Sequence, residues 1–180
     1  MRLFVGALLS TAPEAVRCEI KRIRDEIVTR DPGWRGVPEV NWHVTLAFLG
    51  NVLEERAEDV MERMVGLRSL LPFVGRLGFC AAPQDRVSSR VLAIGLEPRD
   101  VWAKHLQSVR HCLGVVADVR SDWAHVTVCR SRDPRPWRTT IADLDVRPTD
   151  PWMIPELALV HSQPTPGGSR YTVLRSVSAH

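Results

Sequence analysis

Two short segments of this 180-residue chain repeat one another: Asn41-Trp-His-Val-Thr-Leu-Ala-Phe-Leu-Gly50 and Asp122-Trp-Ala-His-Val-Thr-Val-Cys-Arg130. Each carries His-Val-Thr followed by an apolar residue, and the histidines, His43 and His125, stand 82 residues apart, close to half the chain. A repeat at that distance is what two lobes related by duplication or pseudo-symmetry produce. Composition alone gives only about 0.3 His-x-Thr triplets in a chain of this make-up, so two of them in strand-like surroundings are a real constraint.

Side chains along a strand alternate between faces. His43 and Thr45 therefore project together with Asn41, while Trp42, Val44, Leu46 and Phe48 project from the other face. The second segment repeats this, with His125 and Thr127 opposite Ala124, Val126 and Val128. Each strand offers an imidazole and a hydroxyl side by side, on a backbone whose other face can be buried. By the same alternation Arg130 falls opposite His125, and it reaches that face only if the strand ends or bulges there.

Around these segments the periodicity alternates. Strand-like Arg2–Leu9 precedes a helical stretch from Pro13 to about Thr29, which Ser10 or Thr11 could cap. A strand is expected over Val40–Leu49, a helix over Glu54–Leu70, strands over Phe73–Phe79 and Arg90–Leu96, and a helix over Arg99–Leu113. The last third reads as a strand Trp123–Arg130, a short proline-broken helical piece near Trp137–Leu144, and strands Met153–Ser162 and Arg170–Val177. Loops fall at Asp31–Pro38, Ala82–Asp85, Arg132–Pro136 and Pro164–Gly168, and none reads as a linker. Several strand pairs lie too close in sequence for a crossover helix, so the fold class is α+β with mainly antiparallel sheets. Residues 1–180 are expected to form a single domain of two pseudo-symmetric lobes, each a sheet with flanking helices, around a central cleft.

Other classes are disfavoured. Met1–Leu9 is apolar but short and lacks the flanks of a signal peptide, and no apolar run approaches the ~20 residues that span a bilayer. A cytoplasmic, monomeric protein with no membrane association is expected. Cys18, Cys80, Cys112 and Cys129 contain no C-x-x-C pair and read as small buried hydrophobes. Neither H-E-x-x-H nor a carboxylate cluster accompanies the histidines, and His105 and His111 lie off a common helical face, so no metal or other cofactor is expected. The net charge is only +3, but 22 of the 24 basic residues are arginine. Guanidinium forks suit phosphate oxygens, although a G+C-rich coding bias would give the same excess.

These motifs resemble those of the 2H phosphoesterase superfamily, named for two H-x-T-x motifs, and within it the bacterial and archaeal RNA 2′,3′-cyclic phosphodiesterase family, also called 2′-5′ RNA ligase. The opening Met1-Arg-Leu-Phe-Val5, the run Val37–Gly50 and the ending Leu157–Leu174 are similar to that family in order and spacing, so the likeness covers essentially the whole chain. The chain departs from the pattern at Trp42, where leucine is usual, at Ala124, where proline usually precedes the histidine, and at His161, where an acidic residue is more common.

Hydrolysis of a cyclic phosphodiester needs a base for water, an acid for the departing ribose oxygen and donors for the nonbridging oxygens. The resemblance implies that His43 is the proton donor and His125 the proton acceptor, acting on RNA with a 2′,3′-cyclic phosphate terminus and releasing a 2′-phosphomonoester. Thr45 and Thr127 would donate to the phosphate, with Arg130 adding positive charge. Tyr171 follows a Gly-Gly turn and either stacks on a base or packs in the core. Two alternatives stand beside this reading: 2′-5′ RNA end-joining on the same site, and an RNA-end-binding module without catalysis.

Overall fold

The computed structural model describes residues 1–83, 87–115, 122–166 and 168–179. Its strands pair antiparallel throughout, in the order β7-β4-β5-β6-β3-β1-β8-β9. β1 (Arg2–Leu8), β3 (His43–Asn51), β8 (Glu156–Thr165) and β9 (Gly168–Ser178) make one half of this array. β4 (Phe73–Ala81), β5 (Ser88–Glu97), β6 (His125–Pro136) and β7 (Trp152–Ile154) make the other, and β2 (Arg35–Gly36) pairs with β6. The two halves meet where β3 touches β6, with Val44 opposite Val126. The two His-Val-Thr segments are thus the central strands of the molecule.

The helices tie the halves together. α1 (Glu14–Arg30) buries Val16, Ile20, Ile23 and Ile27, spaced three and four apart as one helical face requires. It follows β1 in the first half but packs against β6 in the second. α3 (Arg99–Cys112) buries Trp102, Leu106 and Val109, follows β5 in the second half and packs against β3 in the first. Leu3, Val5 and Ile20 consequently share one core cluster with Ile94, Trp102 and Val126. α2 (Glu54–Arg63) runs on into a 3₁₀ turn over Met64–Leu70.

Several expectations from the sequence change, among them the loop expected at Arg132–Pro136, which instead continues strand β6 as far as Pro136. Neither Ser10 nor Thr11 caps α1: Leu9–Thr11 form a 3₁₀ turn, and Pro13 occupies the N-cap without any side-chain bond. β3 starts at His43, not Val40, because Pro38 initiates a 3₁₀ turn over Glu39–Asn41 that Trp42 closes by donating its N–H to the Glu39 carbonyl. Trp137–Leu144 is not a helix. Thr139, Thr140 and Ile141 are β-branched, two isolated turn bonds replace a helical ladder, and Arg30 of α1 donates to the carbonyls of Thr140 and Ala142. Met153–Ser162 divides at Pro155, which donates no N–H, into β7 on β4 and β8 on β1 and β9, so one expected strand serves both halves.

Cys80 and Cys129 are buried and Cys112 half-buried, but Cys18 is exposed, because two positions after Val16 a residue of α1 faces outward. The loop expected at Ala82–Asp85 lies partly outside the described residues, as does Gly167 of the loop at Pro164–Gly168. No helix among the described residues is long and apolar enough to cross a membrane.

One buried charge braces the central seam. Arg110, 8% exposed, reaches from α3 to the Leu46 carbonyl of β3 at 3.2 Å and to Asp122 at 3.0 Å. Replacing it with leucine leaves the Leu46 carbonyl short of a donor in the interior, and we expect a loss of about 2 kcal/mol. Urea unfolding of Arg110→Leu against the wild type measures this, and an unchanged midpoint would contradict the bracing role.

Candidate active site

Register at the seam decides which side chains meet. With Val44 opposite Val126 and the strands antiparallel, His43 lies across from Thr127 and Thr45 across from His125. All four stand on the face that Val44 and Val126 do not use. His43 and His125 are diagonal neighbours, for which separations of about 7–8 Å, somewhat less between Cβ atoms, are typical, leaving a gap that one phosphorus centre with its oxygens can fill.

Both strands bulge immediately after their threonine. In the β1–β3 register Gly6 faces Thr45 and Val5 faces Ala47, leaving Leu46 extra. In the β5–β6 register Ala93 faces Thr127 and Leu92 faces Cys129, leaving Val128 extra. Leu46 with Ala47, and Val128 with Cys129, are successive buried residues, so the alternation reverses beyond each bulge. Arg130 is thereby turned onto the histidine face and lines the same cavity as His43 and Thr127. The corresponding position on β3 is Phe48, which is exposed, with the Arg2 guanidinium 5.3 Å from its ring centroid.

The imidazoles are held alike. His43 Nδ1 donates to the Asn41 carbonyl and His125 Nδ1 to the Trp123 carbonyl, each at 2.7 Å. A carbonyl only accepts, so these bonds assign the proton to Nδ1 and leave the lone pair of Nε2 available on both rings. His43 stacks on Phe4 with centroids 4.6 Å apart and meets Tyr171 edge-on at 5.2 Å. His125 stacks on Trp123 at 5.0 Å, and Trp123 stacks on Phe79 at 5.6 Å. Gly95 faces His125 across β5, and a Cβ there would come within 2.5 Å of Trp123 Nε1, so the absence of a side chain lets the indole lie beneath the imidazole.

Packing among these rings strips water from the imidazoles, which remain only partly exposed. Desolvation pulls His43 from its ordinary 6.5 down to about 4, with the Arg130 and His125 charges adding to the fall and the bond to Asn41 opposing it. His125 is lowered in the same way, by burial first and Arg130 second, against the bond to Trp123. Burial also lowers Arg130 from its ordinary value, Arg2 adding to this and Tyr171 opposing it. A guanidinium that basic stays charged at any working pH. Near neutral pH both imidazoles are therefore neutral beside a fixed cation, an arrangement that favours an anion between them.

A cavity of about 480 Å³ opens at the His43–Thr127 end of the seam and includes Tyr171 and Arg130 in its walls. His125 and Thr45 flank the bridge at its other end and are not part of that wall. Of the two readings for Tyr171, core packing is present, since it packs against Phe4, Ala158 and Val160, and the residue also lines the cavity. Not foreseen were Phe4 and Trp123 as stacking partners, the carbonyls of Asn41 and Trp123 as tautomer anchors, and Arg35 and Arg132 as further cations in the wall. Every residue carries a main-chain carbonyl, so the residue order held no signal for those two anchors. Among the described residues no three His, Cys, Asp or Glu side chains come together as a metal would need.

Residues 11–91 match the family model described as LigT-like phosphoesterase. The chain is 30% identical over 189 residues to an RNA 2′,3′-cyclic phosphodiesterase of Thermus thermophilus, spanning 99% of this chain and 90% of that protein. It is 28% identical over 181 residues to an RNA 2′,3′-cyclic phosphodiesterase of Thermotoga maritima, spanning 97% and 93%. Among solved structures it is similar to that of the Thermus thermophilus protein TT0787, with a TM-score of 0.73 and 27% identity over 99% of this chain and 97% of that one.

Proposed function

The chain belongs to the LigT-like phosphoesterase family, and from that premise we propose that it hydrolyses 2′,3′-cyclic phosphate ends of RNA to 2′-phosphomonoesters, with His43 as acid and His125 as base. The observation that carries the reading is the matched pair of imidazoles, each anchored through Nδ1 to the carbonyl two residues before it and each free at Nε2, on either side of one bridge. In-line displacement at phosphorus places the attacking and departing oxygens on opposite sides, which is the disposition that diagonal histidines serve.

In the proposed step, Nε2 of neutral His125 takes a proton from water as its oxygen bonds to phosphorus. Protonated His43 gives its Nε2 proton to the ribose O3′ as the P–O3′ bond breaks, and phosphate stays on O2′. Thr45, Thr127 and the Arg130 guanidinium hold the nonbridging oxygens. Exchange of protons with solvent restores the starting charges. The whole of residues 1–180 acts as one bilobal unit in this reading, supported by a core to which both halves contribute.

Incubating the protein with a defined RNA ending in a 2′,3′-cyclic phosphate, in EDTA and in the presence of a second RNA with a 5′-hydroxyl, tests it. A 2′-phosphomonoester is the expected product, at a rate EDTA leaves intact. A 3′-phosphomonoester would reverse the roles at the sugar, a 2′-5′ joined product would favour end-joining, and binding without turnover would reduce the protein to an end-binding module.

A further inference from the structure

We infer that the cavity beside His43 holds a second phosphate, one nucleotide removed from the reacting one, with Arg35 and Arg132 as its ligands. The inference rests on the phosphodiesterase reading above and concerns what else of the substrate the same site grips. Three observations lead to it. A cavity of about 480 Å³ is far more than one phosphate occupies and lies in the range of nucleotide-sized sites. Its wall carries Arg35, Arg130 and Arg132 without a single Asp or Glu, and none of the three arginines is in an ion pair among the described residues.

The third observation is the pairing of β2. Arg35 lies directly across from Arg130. Like charges directly opposite one another destabilise an antiparallel pair, and β2 is only two residues long, with one further bond, from the Val37 N–H to the Val128 carbonyl, to hold it in place. Two arginines paired across neighbouring strands make sense around anions. One anion is supplied by the phosphate between the histidines, to which Thr127 and Arg130 are committed. Arg35 and Arg132 remain as surplus positive charge in a wall with no acid to neutralise it, and a guanidinium fork holds phosphate oxygens two at a time.

A second phosphate on an RNA end has two chemical sources: the next internucleotide linkage, or a 5′-phosphate on a single terminal nucleotide. Three substrates separate them. A nucleoside 2′,3′-cyclic phosphate has none, its 5′-phosphorylated form has a terminal one, and a dinucleotide ending in the cyclic phosphate has the internucleotide one. For the wild type we expect kcat/KM to rise by about tenfold to hundredfold from the first substrate to whichever source the site accepts, the range that charge-assisted hydrogen bonds give. In the double variant Arg35→Ala/Arg132→Ala that ratio should fall to within about threefold, and Arg35→Lys/Arg132→Lys should restore part of it.

A measurement on the wild type alone guards against a misfolded variant. KM for the preferred substrate should depend more steeply on salt than KM for the plain cyclic nucleotide, by about the contribution of one added phosphate contact. Equal kcat/KM for all three substrates, or a ratio that survives loss of both arginines, would overturn the second-phosphate site. Failure to turn over any of the three would instead overturn the phosphodiesterase reading beneath it.

Discussion

His43→Ala and His125→Ala are each expected to lower kcat/KM on a cyclic-phosphate RNA by at least about a thousandfold, with the double variant little worse than either. General acid and general base catalysis each contribute roughly 10²–10⁴-fold. The two are joined here, because water attack without a proton for the departing oxygen, or the reverse, leaves a charged species that the other residue would have relieved. Groups acting as a unit give losses that do not add. The site around them makes the test clean: Phe4 and Tyr171 wall one ring and Trp123 the other, Phe4 and Tyr171 packing with Ala158 and Val160 and Trp123 stacking on Phe79, so the walls keep other partners when an imidazole is removed. Both variants should unfold cooperatively and still bind a noncleavable phosphate ester through Arg130. Full activity in either single variant would refute the assignment, and equal loss of binding and turnover would point to a role in holding RNA only.

Much of this architecture is legible in the amino-acid order, because the governing patterns are local. The recurrence of His-Val-Thr at half the chain length announces two halves, and the alternation around it puts His43 with Thr45 and His125 with Thr127 on the open face, as the seam register has them. The α+β class with antiparallel strands follows from strand pairs too close for crossovers, and the fold has that form. What strict alternation misjudged was Arg130 on one strand and Phe48 on the other, since one extra residue in each central strand reverses the count. The trace of those bulges is present in Thr-Leu-Ala and Thr-Val-Cys, where two apolar residues in succession break a period of two, but a buried pair of that kind also ends many strands. Contacts distant in sequence carried no such trace. Nothing near His43 announces that Phe4 lies beneath it, and nothing in Trp137–Leu144 reveals that the Arg30 guanidinium of α1 claims its carbonyls and suppresses a helix. The split of Met153–Ser162 at Pro155 was open to detection, as a proline removes one ladder donor wherever it stands.

The acid response of the free enzyme differs from that of its substrate complex, and the difference is measurable. Both imidazoles are depressed by desolvation and by Arg130, His43 to about 4. Productive attack needs one imidazole charged and the other neutral, and the alkaline limb of kcat/KM follows the higher of the two free-enzyme values, whichever residue owns it. That limb should therefore begin below pH 6.5 and fall about tenfold per unit above it. A bound phosphodiester places negative charge beside both rings, favours the imidazolium and moves the limbs of kcat to higher pH. The same shift governs stability. Above pH 6.5 the His43 ring is neutral whether folded or not, so it carries no penalty; as pH falls from 6.5 to about 4 the unfolded chain takes up a proton that the folded one refuses. Stability from this group should decline across that window by no more than about 3 kcal/mol. Because phosphate favours the charged ring, it should raise Tm more at pH 5 than at pH 7.5. An alkaline limb of kcat/KM above pH 7, or a phosphate effect on Tm that is larger at the higher pH, would mean that the aromatic walls do not desolvate the histidines as their packing implies.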